Sequence, residues 1–437
     1  MEQLNIPEDP QNLFEQITSI EQLLKGFKAV RKNKGSPGID GVNLISFEEN
    51  LFEELGQLQD ELVSWSYKPK AVRRVEITKP NGGVRLLGVP CVRDRVVQAA
   101  IKQVIEPSLD STFSDNSYGF RPGCSQRQAI DSAQSIVLTQ GKEYVVDIDL
   151  SKFFDRVNHD RVISLLGKHF EDKRLLRLIG MILRSGVEIN GQYNPTTSGC
   201  PQGGPLSPLL SNVILDELDK ELESRKLSFC RFADDCNIFV KSQKAATRVM
   251  QSISNFIEKK LKLVVNREKS QVAKTCEVKF LGMTIVNGAV LISRKAMADA
   301  MKRVKELTPR GTNLSLESTI KEINRWYIGW SSYFSMTQYP GQFDSIEAHI
   351  RRRLRSRLVS KARRPRYLYR QLVKEGASKR AAAGAAFSNM RRWALSKTPA
   401  AHKAYSNKWF SDLQGLFIRS NEKQPHWFGV KRWVKLS

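Results

Sequence analysis

The chain has 437 residues, enough for about two to four domains, and its 41% hydrophobic content can bury substantial cores. Seventy Lys and Arg against 45 Asp and Glu leave a formal net charge of +25, which favours polyanions and nucleic acid first. No run approaches the roughly 18 apolar residues of a membrane-spanning helix, and six cysteines without a Cys-x-x-Cys spacing exclude a zinc ribbon or disulfide framework.

The start of the chain is polar and acidic, unlike a signal peptide. With reduced thiols, this leads us to expect a cytoplasmic protein with no membrane partner. The charge is uneven. Residues 291–437 hold 31 Lys and Arg against 9 Asp and Glu, a net of +22.

In chain order, Leu13, Ile17, Ile20, Leu23, Leu24 and Phe27 predict a helix over 11–33. A turn at Gly35-Ser36-Pro37-Gly38 and a helix over 46–65 come next. Strands at 73–77 and 84–87 flank Pro80-Asn81-Gly82-Gly83, a hairpin signal. Helices are predicted over 93–106, 125–138, 158–169 and 172–184, strands over 143–149, 228–232 and 236–241, and a helix over 243–261. Beyond Ser293 helices dominate, at 294–307, 315–335 and 341–362. Ile323, Trp326, Tyr327, Trp330 and Phe334 recur at helical spacing and read as a core stripe. Residues 351–370 contain ten Lys and Arg and no acid, with Leu354, Leu358 and Val359 at helical intervals. This predicts a helix with one packed face and one face that follows a phosphate backbone. The tail from about 386 interleaves basic residues with Trp393, Tyr405, Trp409 and Phe410, a pattern that suits single strands or helix-backbone contact.

Two places carry acids where apolar strands are expected. Asp234-Asp235 interrupts Cys230–Val240 and would sit at the tip of a tight hairpin. A solvated turn is the plain alternative, since Asp favours turns for local reasons. Asp147 and Asp149 interrupt an apolar run from Val145 to Leu150. A buried carboxylate needs a cation, a donor or an edge position. Carboxylates from two strands can hold two metals roughly 4 Å apart for in-line phosphoryl displacement.

Three segments, Asp-Leu-Ser-Lys-Phe-Phe-Asp (149–155), Pro-Gln-Gly-Gly-Pro-Leu-Ser-Pro-Leu-Leu (201–210) and Phe-Ala-Asp-Asp (232–235), resemble in order and spacing the palm of reverse transcriptases. Segments 31–41, 79–85 (Lys-Pro-Asn-Gly-Gly-Val-Arg), 117–122 (Ser-Tyr-Gly-Phe-Arg-Pro) and 280–282 (Phe-Leu-Gly) narrow the likeness. Together they resemble the reverse transcriptase/maturases encoded by bacterial group II introns, and among these the compact class C type without an endonuclease domain.

The resemblance implies an α+β right-hand polymerase architecture, with fingers and palm built on antiparallel sheet, then an α-helical thumb and a small basic C-terminal domain. The expected divisions are an N-terminal extension of the fingers (1–50), fingers and palm (51–290), a thumb or maturase region (291–385) and a DNA-binding region (386–437). Phe154 and Asp155 follow Asp149 at the family's spacing, so Asp149, not Asp147, is the implied metal ligand. Asp234 and Asp235 join it, with the Leu150 carbonyl as an extra ligand, around two Mg²⁺ ions or Mn²⁺ in their place. The incoming dNTP is assigned to Lys79, Arg85, Phe154, Gln202 and Lys269. Phe154 would exclude a 2′-hydroxyl, and Lys269 would neutralise the leaving pyrophosphate. Nucleic-acid contacts are expected from Arg31, Lys32 and Lys34, and from Arg351, Arg352, Arg353, Arg355 and Arg357. His159 reads as a residue of a helix start. The usual Tyr of the Tyr-Ala-Asp-Asp motif is Phe232 here, which leaves metal ligation intact.

The implied function is an RNA-directed DNA polymerase whose partners are its intron RNA, an RNA template with a DNA primer, dNTPs and target DNA. Two other readings stand beside it. One is a domesticated group II-like enzyme of phage defence or DNA repair, which the DNA flanking the gene would distinguish. The other is a non-catalytic intron-RNA-binding splicing factor, against which the intact acid trio speaks.

Overall fold

The computed structural model describes residues 12–78, 84–200, 203–309, 311–362 and 364–419. They divide into two compact units, the first ending at Val278 and the second beginning at Lys279.

The first unit opens with α1 (Leu13–Thr18) and α2 (Ile20–Asn33). The single helix expected here is interrupted at Ser19, whose hydroxyl accepts the Gln22 amide and caps a new start. α3 (Leu44–Glu49) and α4 (Leu51–Val63) come next. Phe14, Ile17, Leu23, Phe27, Phe47, Leu55 and Leu58 share one core with Val96, Val97, Ala100 and Ile101 of α5 (Val92–Asp110). Between them, β1 (Val72–Thr78) and β2 (Val84–Val89) form the expected hairpin.

The remaining elements of this unit are α6 (Gln126–Gln140), β3 (Tyr144–Ile148), α7 (Phe153–Arg156), α8 (His159–Leu166), α9 (Lys173–Leu183), β4 (Val187–Ile189), β5 (Gln192–Asn194), α10 (Ser207–Ser224), β6 (Ser228–Phe232), β7 (Asp235–Val240), α11 (Gln243–Phe256) and β8 (Gln271–Lys274). One sheet runs β2-β1-β4-β5 and the other β6-β7-β3-β8. The second is antiparallel throughout. Val146, Ile148 and Ile238 turn one of its faces into the core shared with α10 and α11. This burial is the principal term that holds the sheet, at roughly 1.5–3 kcal/mol per large apolar side chain.

The second unit starts with a hairpin, β9 (Met283–Val286) and β10 (Ala289–Ile292). α12 (Arg294–Leu307), α13 (Leu316–Tyr333), α14 (Gly341–Lys361), α15 (Pro365–Lys374), α16 (Lys379–Ala386), α17 (Arg392–Leu395) and α18 (Pro399–Ala404) follow. A division was expected after residue 290, but the hairpin belongs to the helical unit. Val290 N–H donates to the Gln338 side chain at 3.0 Å, and Gln342 bonds both polar backbone atoms of Ile292 at 2.8 Å. Ile323, Tyr327 and Phe334 are buried, as a core stripe requires.

Candidate active site

β3 and β7 pair with Ile148 opposite Cys236 and Asp147 opposite Asn237. Asp149 therefore follows β3 beside the residue that begins β7, Asp235. β6 and β7 close as a hairpin in which Phe232 faces Asp235, so Ala233 and Asp234 form its two-residue turn. Ala233 has φ +58°, the sign that primed hairpin turns need at their first central position. Asp234 is half-buried, and its carboxyl is pushed up from the ordinary value by burial and then by the Asp149 charge, while Arg85 and Arg231 pull the other way. The acids of two strands thus converge at one end of the sheet. Asp147 instead accepts from the Gln271 side chain at 3.3 Å.

Beneath the turn lies a buried polar network that sequence reasoning missed. The Arg231 guanidinium is bidentate to Asp219 of α10, and its Nη1 donates to the Ala233 carbonyl at 2.9 Å and to Asn212 Oδ1 at 3.0 Å. Asn212 Nδ2 donates to the Gly119 carbonyl at 2.9 Å. Segment 116–118 runs along the outer edge of β6, with mutual backbone bonds to Arg231. Gly119 then meets the turn so closely that a Cβ would stand 2.1 Å from the Ala233 nitrogen. The available signal was an Arg inside an apolar strand, which demands a buried acceptor.

A second scaffold holds Asp149. Ser151 N–H donates to Val264 O and Asn266 N–H to Asp149 O, each at 2.8 Å. Leu150 and Val265 face each other between these bonds, so the Leu150 carbonyl takes no part in that ladder and can serve as a ligand. Asp149 N–H donates to Ser270 Oγ at 3.0 Å, and Asn266 Nδ2 donates to Asp149 Oδ2 at 2.9 Å. Lys269 Nζ stands 3.7 Å from the same Oδ2.

Phe154 is half-buried against Phe153, and its carbonyl accepts the Cys200 amide at 2.7 Å. His159 is buried at the start of α8, where its ring donates to the Gly199 carbonyl at 2.7 Å, while Asn158 provides the cap. These bonds lead the chain from β5 toward the glycine pair at 203–204. Gly203 has φ +127° and would place a Cβ 2.4 Å from the Gly88 carbonyl of β2. Arg74 of β1 reaches Asp155 at 3.5 Å. β1 and β2 are thereby held against the acid-bearing segment. Lys79 and Gln202 lie outside the described residues.

Residues 77–285 match the reverse transcriptase (RNA-dependent DNA polymerase) family model, and residues 297–376 match the group II intron maturase-specific domain. Protein YkfC of Escherichia coli K12 is 34% identical over 301 residues, covering 60% of this chain and 79% of that protein. The chain belongs to the group II intron reverse transcriptase/maturase family.

The group II intron-encoded protein LtrA of Lactococcus lactis is 33% identical over 232 residues, which cover 52% of this chain and 38% of LtrA. A partial Cas6-RT-Cas1–Cas2 complex is 27% identical with a TM-score of 0.37, covering 58% of this chain and 44% of that one.

Divalent-metal-dependent catalysis comes with this family. The donor set suits such an ion: carboxylates and one backbone carbonyl, all hard oxygens, with two acids close enough to perturb one another. Among the described residues no three acidic, imidazole or thiol side chains form a closed metal cage. One or two carboxylates completed by substrate phosphates are the usual Mg²⁺ arrangement.

The basic residues assigned to nucleic acid divide. Arg31, Lys32 and Lys34 are all exposed, and Arg31 also pairs with Glu48 at 3.0 Å. The arginines of α14 do not form the exposed face expected of them. Arg351 and Arg355 are buried, the first beside Glu347 and the second donating to the Tyr405 carbonyl at 3.0 Å and to the His402 ring. Arg353 bonds Thr308, Arg357 bonds Thr319 and the Leu314 carbonyl, and Arg352 stacks 3.8 Å over Trp393. The cause is the position of α14, which lies among the other helices of its unit, so its guanidiniums satisfy carbonyls and hydroxyls there. In the tail, Tyr405 and Phe410 are core residues instead of stacking platforms, and residues 420–437 lie outside the described residues.

Proposed function

We propose that the protein copies RNA into DNA from a primer 3′ end, through Asp149, Asp234 and Asp235 holding two Mg²⁺ ions, and that it binds its own intron RNA to assist splicing and mobility. The observation that carries this reading is the convergence of Asp149 with the Asp234 turn at one end of an antiparallel sheet. Bound metal would lower the barrier by activating the primer hydroxyl and neutralising the triphosphate.

The chain's own residues do the positioning. Arg85 is exposed on β2, and its charge is felt at Asp234, so it is placed to bind triphosphate oxygens. Lys79 shares that role by the resemblance of segment 79–85 to the family. Phe154 packs against the sugar edge of the incoming nucleotide and rejects a 2′-hydroxyl. Gln202 meets the same nucleotide. Lys269, exposed beside Asp149, meets the leaving pyrophosphate and supplies charge or a proton. The reaction forms a bond from the primer oxygen to the α-phosphorus and breaks the α–β phosphoanhydride. The helical unit, whose residues 297–376 match the maturase-specific domain, acts as thumb and maturase region, and Lys32 and Lys34 meet template or intron RNA.

The test is primer extension on an RNA template with Mg²⁺ and dNTPs. The wild-type chain should make cDNA, and Asp234→Ala with Asp235→Ala should make none while retaining template affinity. Substantial residual synthesis by the double variant would refute the assignment.

A further inference from the structure

We propose that Asn266 is a positioning residue that pins one oxygen of the Asp149 carboxylate, leaving the other turned to the cation. The inference rests on the polymerase reading and goes beyond the acid trio. Asn266 Nδ2 donates to Asp149 Oδ2 at 2.9 Å. Lys269 also addresses Oδ2, at 3.7 Å and from a largely exposed side chain. Among the described residues Oδ1 receives no donor. The two oxygens of one carboxylate therefore have different work: Oδ2 is anchored to protein and Oδ1 is available as a ligand.

The anchor is itself rigid. Asn266 N–H donates to Asp149 O at 2.8 Å, so backbone and side chain of one residue grip backbone and side chain of the other. The Asn266 carbonyl accepts the amides of Lys269 and Ser270 at 3.2 and 2.8 Å, closing the turn, and Ser270 Oγ accepts the Asp149 amide at 3.0 Å. A neutral amide suits this place. It orients the carboxylate through one hydrogen bond and brings no charge of its own to the site.

An Asn in a turn has a simpler explanation, since Asn and Asp both stabilise turns through their side chains. The two explanations separate on Asn266→Asp, which keeps shape and turn chemistry but loses the donor and puts a like charge beside Asp149. Asn266→Ala, Asn266→Asp and Asp149→Ala would be compared with the wild-type full-length chain on an RNA template with a DNA primer. The readouts are the Mg²⁺ concentration for half-maximal extension, Mn²⁺ binding by electron paramagnetic resonance, thermal midpoint and template–primer affinity.

Both Asn266 variants should weaken Mn²⁺ binding and raise the Mg²⁺ requirement by about tenfold or more, the usual range for a residue that orients a metal ligand. Asn266→Asp should be at least as impaired as Asn266→Ala, with midpoint and template affinity unchanged in both. A near-normal Asn266→Asp, or abolished extension with unaltered metal dependence, overturns the proposal. A wild-type chain that extends no primer, or an Asp149→Ala that still does, overturns the polymerase reading instead.

Discussion

Arg231 and Asp219 face each other with neither side chain exposed, Nε to Oδ1 at 2.7 Å and Nη2 to Oδ2 at 2.5 Å. The pair stands directly under the turn that carries Asp234, because the same guanidinium also donates to the Ala233 carbonyl. One contact thus ties the interior of α10 to the tip of the hairpin.

Removing one member of a buried ion pair strands the other and costs about 3–5 kcal/mol. Asp219→Asn should therefore lower the stability of the first unit to urea by that amount. It should also reduce cDNA synthesis under conditions where the variant is still folded, since the turn loses its anchor. Urea unfolding followed alongside single-turnover extension measures both effects.

Phe154 is held by its backbone bond to Cys200, which places the ring independently of substrate. Phe154→Ala should leave the fold intact and lower the dNTP/rNTP preference by about tenfold or more, equivalent to roughly 1.4 kcal/mol of discrimination. Competing incorporation of matched deoxy- and ribonucleotides is the measurement. An unchanged ratio would remove the ring from sugar selection.

Asp94 is almost fully buried, accepting from Tyr67 Oη at 2.7 Å and Lys70 N–H at 3.1 Å, and burial pushes its carboxyl up from 3.8 to about 6. The folded state then holds a proton that the unfolded state has released between these two values. Stability should fall as pH rises from about 4 to 6 and level off above, a loss of about 3 kcal/mol. Urea midpoints across that range should show the slope, and Asp94→Asn should flatten it.

Arg351 and Arg355 serve the interior of the helical unit, so Arg351→Gln with Arg355→Gln should lower its thermal midpoint. Burial, and then the neighbouring Arg351 charge, push the Arg355 guanidinium down to about 10, while it donates to the Tyr405 carbonyl and the His402 ring. Lys32→Gln with Lys34→Gln should leave the midpoint unchanged. It should instead flatten the salt dependence of RNA binding by about one unit for each phosphate no longer neutralised. Melting curves and binding isotherms over a salt series separate the two sets.

Much of the site is legible in the chain. The apolar stretches on each side of Asp234-Asp235 read as a hairpin and the run from Tyr144 to Leu150 as a strand, while the structure puts only Asp234 in the turn and opens β7 with Asp235, and the choice of Asp149 over Asp147 came from the resemblance. The stripe from Ile323 to Phe334 announces its own burial. Other elements leave weaker traces. α10 is covered nearly all round and buries Asp216 and Asp219, so it lacks the polar face that makes a helix conspicuous. β4, β5 and β8 span three or four residues each, too few for alternation to register. Asn266 carries no periodic signal at all, since its contact with Asp149 spans 117 residues.

The helix α14 marks the boundary between the two kinds of knowledge. Composition establishes that it carries five arginines within seven residues and that the second half of the chain is strongly basic. Whether a guanidinium meets a phosphate or a carbonyl depends on what is packed against it, and that is a property of the folded unit. Local pattern reports which groups need partners. Distant segments supply those partners, as Tyr405 does for Arg355 and Asp219 for Arg231.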